Sequence, residues 1–159
     1  MELYLVRHGI AEDSAPSGRD ADRRLTEEGI EKTARVAAAF AKRAPHVDLI
    51  LHSPYKRAKE TAKIFHEQYP KAKLKEGKGL TPFDKAGFAL PQLEELSVEM
   101  KVMLVGHEPH MSCLASLLIT GSDRPVMEFK KAGIAGIGSL SGLDSCYLMF
   151  LLTPKMLLG

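Results

Sequence analysis

The sequence predicts an α/β fold, a three-layer sandwich in which helices flank both faces of a mainly parallel central sheet. Two observations carry this. Residues 3–6 (LYLV), 47–51 (VDLIL) and 101–105 (KVMLV) are apolar runs of strand length and read as strands buried on both faces. Segments with helix start and stop signals lie between them, and strands alternating with helices build parallel sheets.

Along the chain, residues 3–6 form the first strand. Residues 13–24, rich in Ser, Gly, Asp and Arg, read as a loop. Thr26 is placed as a helix N-cap, with Glu27 and Glu28 in the first turn where the helix dipole favours negative charge. The helix is expected to reach about residue 43, burying Ile30, Ala34, Ala37 and Ala41, and Pro45 stops it. After the strand at 47–51, Ser53 and Pro54 read as N-cap and first-turn residue of a helix through about residue 69, with Ala58, Ala62 and Phe65 inward. Residues 73–76 suit an edge strand, and residues 90–100 a helix entered through Pro91. The strand at 101–105 leads to an apolar helix over 111–120, ended by Gly121. Residues 133–140 and 146–152 read as two strands joined by a Gly-containing turn at 141–144.

A chain of 159 residues is expected to form one domain over its whole length, 1–159. Apolar residues make up 45% and charged residues 26% of it, the balance of a soluble globular protein. A net charge of +2 argues against nucleic acid or an acidic membrane as partner. Cys113 and Cys146 sit among apolar residues without Cys-x-x-Cys spacing and read as buried reduced thiols, which suits a reducing cytoplasm. The apolar stretch at the N-terminus is too short for a signal-peptide core. No stretch approaches the roughly 18 apolar residues of a membrane helix, so the expected location is cytoplasmic.

The chemistry-bearing residues are clustered. Arg7-His8-Gly9 follows the first strand, His52-Ser53-Pro54 the second, with Arg57 one turn into the next helix, and Gly106-His107-Glu108-Pro109 the third. In an open parallel sheet, ligands bind outside the carboxyl ends of the strands, so the three segments should converge on one crevice. Arginine offers a planar fork that matches phosphate oxygens, and two can hold a dianion without a metal. A neutral histidine can attack phosphorus, and a second, if protonated, can stabilise the charge that develops. Ser53 adds a hydroxyl and helix N-terminal donors. The set reads as phosphoryl transfer.

Plainer readings stand beside this one. Arg57 shares its helix with Lys56, Lys59 and Lys63 and could be a solvated charge; His107 could cap the next helix; Ser53 and Pro54 could simply start one. His107, Glu108 and His110, with His8 and His52, also evoke metal ligands. The His-Glu-Pro-His spacing spoils a helical i, i+4 pair, however, and arginines beside the ligands would repel a cation.

Four motifs, LYLVRHG (3–9), RLTEEG (24–29), SPYKRAKETA (53–62) and LVGHEP (104–109), cover nearly the whole chain in order. Together they resemble the histidine phosphatase superfamily, and within it the small SixA-like phosphohistidine phosphatases. The resemblance implies a phosphoglycerate-mutase-like fold and a cytoplasmic hydrolase that needs no metal or other cofactor. It makes His8 the phosphorylated nucleophile, with Arg7, Arg57 and His107 as the other phosphate-pocket positions. Relatives with larger substrates or mutase activity carry a long helical insertion after the second-strand region. Here only about thirty residues separate Tyr69 from the third strand, so the cap is small or absent. An open site suits a phosphate displayed on a protein, such as a histidine phosphotransfer domain or a phosphocarrier. The proton donor of many relatives has no clear counterpart; Glu12, Asp20, Asp22, Asp84 and Glu108 are the candidates by position. A missing donor suits phosphohistidine, whose P–N bond breaks readily once the imidazole is protonated. The alternatives are a phosphatase of small molecules such as sugar or nucleotide phosphates, and a phosphate-binding module without turnover.

Overall fold

The computed structural model describes residues 1–159. Its centre is a six-stranded sheet in the order β3-β2-β4-β1-β5-β6. The strands are β1 (Glu2–Arg7), β2 (Leu49–His52), β3 (Lys73–Glu76), β4 (Lys101–Gly106), β5 (Ile134–Ser139) and β6 (Cys146–Leu152). β3, β2, β4 and β1 run parallel, β5 runs antiparallel to β1, and β6 runs antiparallel to β5. β6 therefore shares the direction of β1, and only β5 opposes the rest.

Alternation along the strands sorts the core into two layers. Tyr4, Val6, Ile50, Met103 and Val105 face one side and pack on α1 (Glu27–Ala41), α2 (Lys56–Gln68) and α5 (Pro154–Leu158). Leu3, Leu5, Leu51, Val102 and Leu104 face the other and pack on α3 (Leu90–Glu94) and α4 (His110–Thr120). Only strands covered on both faces need to be apolar at every position, which is why β1, β2 and β4 stand out in the sequence. β3, exposed at three of its four positions, is the edge strand its lysines announce. Cys113 and Cys146 are free and half-buried.

The structure corrects four local expectations. The buried stripe of α1 is Thr33, Val36, Ala37 and Phe40, while Ile30 is 47% exposed. The stripe is rotated because Phe40, the largest apolar side chain of the helix, turns inward against Tyr4 at a 5.2 Å ring separation. β2 begins at Leu49 and keeps His52 as its last residue. The N-cap position of α2 is Tyr55 rather than Ser53 and makes no side-chain capping bond; the Ser53 hydroxyl accepts from Tyr55 N and bonds His107. The helix expected over 90–100 is one turn, Leu90–Glu94, preceded by a 3-10 turn at Ala86–Ala89. Leu93 is its one buried residue, so no longer apolar stripe sustains it. The Thr26 cap is present, its hydroxyl accepting from Gly29 N at 3.0 Å.

Gly29 also sets how closely α1 approaches the loop after β1. A Cβ there would overlap the carbonyl of Ile10, a backbone atom with nowhere to retreat. Gly29→Ala is expected to cost about 3 kcal/mol or more by forcing the helix off the loop, read as a lower denaturant midpoint in equilibrium unfolding.

Candidate active site

Because β4 lies between β1 and β2, the residues that leave these three strands emerge side by side. Backbone bonds fix them: His8 N donates to Gly106 O at 2.9 Å, Ser53 N to Val105 O at 3.0 Å and Arg7 N to Gly133 O at 3.1 Å. The crevice that sequence placement requires is formed by His8, Arg57, His107 and Ser53, with Arg7 at its flank.

His8 is 7% exposed. Its Nδ1 lies 2.7 Å from the carbonyl oxygen of Gly9. A carbonyl only accepts, so Nδ1 carries the proton and Nε2 keeps its lone pair. That lone pair accepts from Arg57 Nε at 3.2 Å. Burial pulls the pKa of His8 down to about 4; the charges of Arg57, Arg7 and Arg23 add to the shift and the Gly9 carbonyl opposes it. The imidazole is therefore neutral at pH 7.

Arg57 is 4% exposed, which removes the solvated-charge reading. Besides His8, it donates through Nη1 to the carbonyl of Asp20 at 2.9 Å and through Nη2 to Asp20 Oδ2 at 3.1 Å. Its Cζ lies 5.3 Å from the centre of the Tyr55 ring. One turn on, Thr61 accepts from Gly9 N at 3.1 Å and donates to Arg57 O at 2.8 Å. The Arg-x-x-x-Thr spacing thus aims two polar groups from one helix face at the His8 turn, while Ala58 and Ala62 bury the face beside it.

His107 is 1% exposed, its ring centre 5.2 Å from that of His8 and 5.2 Å from that of Tyr55. Its Nε2 lies 2.8 Å from Ser53 Oγ, which itself accepts from Tyr55 N at 3.3 Å. The arrangement favours a relay in which the Ser53 hydroxyl donates to Nε2, leaving the proton on Nδ1. Burial, then His8 and Arg57, push the pKa of His107 far below its ordinary value. The ring is neutral, not the protonated histidine the sequence invited.

Arg7 donates through Nη1 to Phe129 O at 2.7 Å. Arg7 Nε and His107 Nδ1 are buried without a hydrogen-bond partner, two of five such side-chain atoms in the protein. Buried polar atoms are nearly always paired. A buried arginine N–H and an imidazole nitrogen, both without partners, are groups that a phosphate oxygen would satisfy, the latter when it carries the ring proton.

The five candidate proton donors do not gather here. Glu108 caps α4, accepting from Ser112 N at 3.0 Å and from the Ser112 hydroxyl at 2.5 Å. Glu12 accepts from Arg24 N, Asp84 from Thr81 N, and Asp22 pairs with Ser17 and Arg19. Asp20 alone among them bonds a pocket residue, and hydrogen bonds from Arg23 and then Arg57 hold its carboxyl below the ordinary range. The metal-ligand reading meets the same geometry: both Glu108 oxygens serve α4, and no group of three or more His, Cys, Asp or Glu side chains is placed to hold an ion.

Sequence reasoning missed three supports of the pocket, Thr61, the Phe129 carbonyl and Tyr55, and placed Asp20 only among the candidate proton donors, not as the brace of Arg57. Asp20 lies in a polar loop with no periodicity, and a carbonyl carries no side-chain signal. Only Thr61 was visible, four residues after Arg57 in the same motif.

With this geometry in hand, the family model of the histidine phosphatase superfamily (branch 1) matches residues 3–84, from β1 through α2 and β3. The chain belongs to the histidine phosphatase superfamily. It is a phosphatase, with the mixed central sheet and flanking helices of the phosphoglycerate-mutase-like members. An uncharacterised protein of Picosynechococcus sp. is 37% identical over 164 residues, covering 99% of both chains. A SixA-type protein of Agrobacterium tumefaciens is 26% identical with a TM-score of 0.78, over 96% of this chain and 97% of that one. The protein histidine phosphatase SixA complexed with tungstate superposes with a TM-score of 0.82 at 23% identity, over 98% of each chain. A mycobacterial glucosyl-3-phosphoglycerate phosphatase shares the fold at a TM-score of 0.73 and 17% identity, over 96% of this chain and 99% of that one. No helix is long and apolar enough to cross a membrane.

Proposed function

We propose that this phosphatase is metal-independent, works through phosphohistidine on His8, and removes phosphate from phosphohistidine carried by a protein. The observation that carries the reading is the state of His8. A buried neutral imidazole, its Nδ1 proton tied to Gly9 O at 2.7 Å, presents Nε2 as a ready nucleophile.

The steps follow from this. The phosphoryl group docks on Arg7, Arg57 and His107, and Arg57 Nε exchanges its bond to Nε2 for one to a phosphoryl oxygen. Nε2 attacks phosphorus in line as the P–N bond of the substrate breaks; the substrate imidazole, already protonated on its other ring nitrogen, leaves neutral with the bond's electron pair on the freed nitrogen. Water then attacks phospho-His8, releasing phosphate and restoring the neutral ring. The arginines and the Nδ1–H of His107 stabilise the charge spread over the equatorial oxygens. Ser53 acts through His107, by fixing its tautomer.

Two features support phosphohistidine over an ester. An ester's alkoxide needs a strong acid to leave, whereas Asp20, the one carboxylate touching the pocket, is held ionised by Arg23 and Arg57. The segment between β3 and β4 forms only short helical turns and no long insertion, so a phosphate on a bulky partner could reach the site. The SixA neighbours' names point the same way.

The test is turnover in excess chelator on a histidine-phosphorylated protein, beside a sugar phosphate and a nucleotide monophosphate. The expected result is that kcat/KM for the phosphohistidine protein exceeds both esters by about a hundredfold or more, since only the esters need the absent acid. Faster ester turnover would make it a small-molecule phosphatase. Binding without turnover of any substrate would leave a phosphate-binding module, and loss of activity in chelator would remove the metal-free route.

A further inference from the structure

We infer that a basic cleft opening beside Arg7 docks an acidic face of the phosphorylated partner protein, so that the enzyme selects phosphohistidine on acidic proteins. This rests on the phosphohistidine reading above. The cleft measures about 690 Å³ and is lined by Arg7, Lys32, Lys130, Lys131 and Lys155, with Glu128 as the one acidic residue. Its position follows from topology. α1, which carries Lys32, starts at the carboxyl edge of β1. β6 runs in the direction of β1, so Lys155, just beyond its end, lies at the same edge. β5 runs the other way, so Lys130 and Lys131, just before its start, lie there too.

The charge is a local concentration rather than a consequence of composition, because the whole chain carries only +2. Lys130 pairs with Glu128 at 3.0 Å, whereas Lys32, Lys131 and Lys155 have no carboxylate partner. The cleft is joined to the pocket through two strong links. Arg7 lines it directly, and the Phe129 carbonyl next to Lys130 holds the Arg7 guanidinium at 2.7 Å.

What would fill such a cleft? The cleft is open and five of its nine lining residues are basic, whereas small-ligand sites are enclosed and use only a few placed polar groups. Lysines are hydrated point charges on flexible stems and suit attraction over a distance better than bidentate recognition of one fixed group. Such charges steer a partner of opposite sign and set its orientation. A protein whose phosphohistidine enters the His8 pocket must rest its neighbouring surface against this cleft, and acidic side chains would complement it.

The decisive variant is K32Q/K131Q/K155Q, which keeps much of the stem length, removes three charges and leaves Arg7 and the pocket intact. Three phosphorylated probes are compared: an acidic histidine phosphotransfer domain, basic histone H4, and free phosphohistidine. Wild type is expected to prefer the acidic domain over histone H4. The triple variant should lose about tenfold or more in kcat/KM on the acidic domain, chiefly through KM, with a flatter salt dependence, while free phosphohistidine stays within about twofold. Equal rates of wild type and variant on the acidic domain at low salt would overturn the inference. Binding of the same domain in unphosphorylated form, by fluorescence anisotropy, decides the matter apart from turnover. Weaker binding by the variant supports the docking face even if esters prove the better substrates, and unchanged binding refutes it. Preferential binding of single-stranded DNA by wild type would refute the acidic-protein assignment.

Discussion

Replacing His8 with alanine is expected to lower turnover of a phosphohistidine protein by about four orders of magnitude or more, because removing a covalent nucleophile disables both half-reactions. Rapid mixing of wild type with radiolabelled substrate, followed by alkaline quench, should show label on the enzyme that is stable in base and lost in acid, and none on His8→Ala. Label persisting on the variant would move the nucleophile elsewhere. The pH profile carries a second signature. Burial and three arginines set the His8 pKa to about 4, so kcat/KM on an acid-stable ester should hold through pH 6.5 and fall only as the free enzyme approaches pH 4. Stability should follow a related course. The folded chain binds a proton at His8 less readily than the unfolded chain does, so the contribution is complete above about pH 6.5 and is lost as the pH falls toward 4. The shift amounts to about 3 kcal/mol at most. His107 and His110, both pushed down mainly by burial, act in the same direction. Thermal unfolding of wild type should therefore weaken between pH 6.5 and 4, and His8→Ala should soften that dependence.

The sequence was legible where chemistry and periodicity coincide. β1, β2 and β4 are apolar at successive positions because helices cover both of their faces, and each is followed by residues that neither strand nor helix would choose. That juxtaposition locates the crevice before any coordinates are known. It fails where position depends on tertiary packing. The rotation of α1 was set by Phe40 finding Tyr4, not by the alanine spacing, and the start of α2 by Ser53 turning to His107 instead of capping. The loop over 13–24 carried no pattern at all, yet its 3-10 turn at Asp20–Asp22 delivers the carbonyl and carboxylate that hold Arg57. A pocket's attacking groups leave marks in sequence; the groups that aim them are selected by distance, which sequence does not record.

That distinction makes Arg57→Lys the sharpest test of the pocket. Arg57 spends all three guanidinium nitrogens at once, Nε on His8, Nη1 on the Asp20 carbonyl and Nη2 on the Asp20 carboxylate, at 3.2, 2.9 and 3.1 Å. A lysine keeps the charge, but its single nitrogen cannot both brace itself on Asp20 and face the phosphoryl oxygens in a fixed plane. If charge alone mattered, the variant would be close to wild type. If planar positioning matters, kcat should fall by about a hundredfold to a thousandfold, the size of effect seen when one preorganised donor to a transition state is lost. Asp20→Asn separates the brace from the charge: it can still accept from Nη2 and leaves the Asp20 carbonyl in place, so the expected loss is about tenfold or less. An Arg57→Lys enzyme with full kcat would remove Arg57 from the transition state. An Asp20→Asn loss as large as that of Arg57→Lys would instead make the carboxylate charge, and not the geometry it imposes, the decisive feature of the loop.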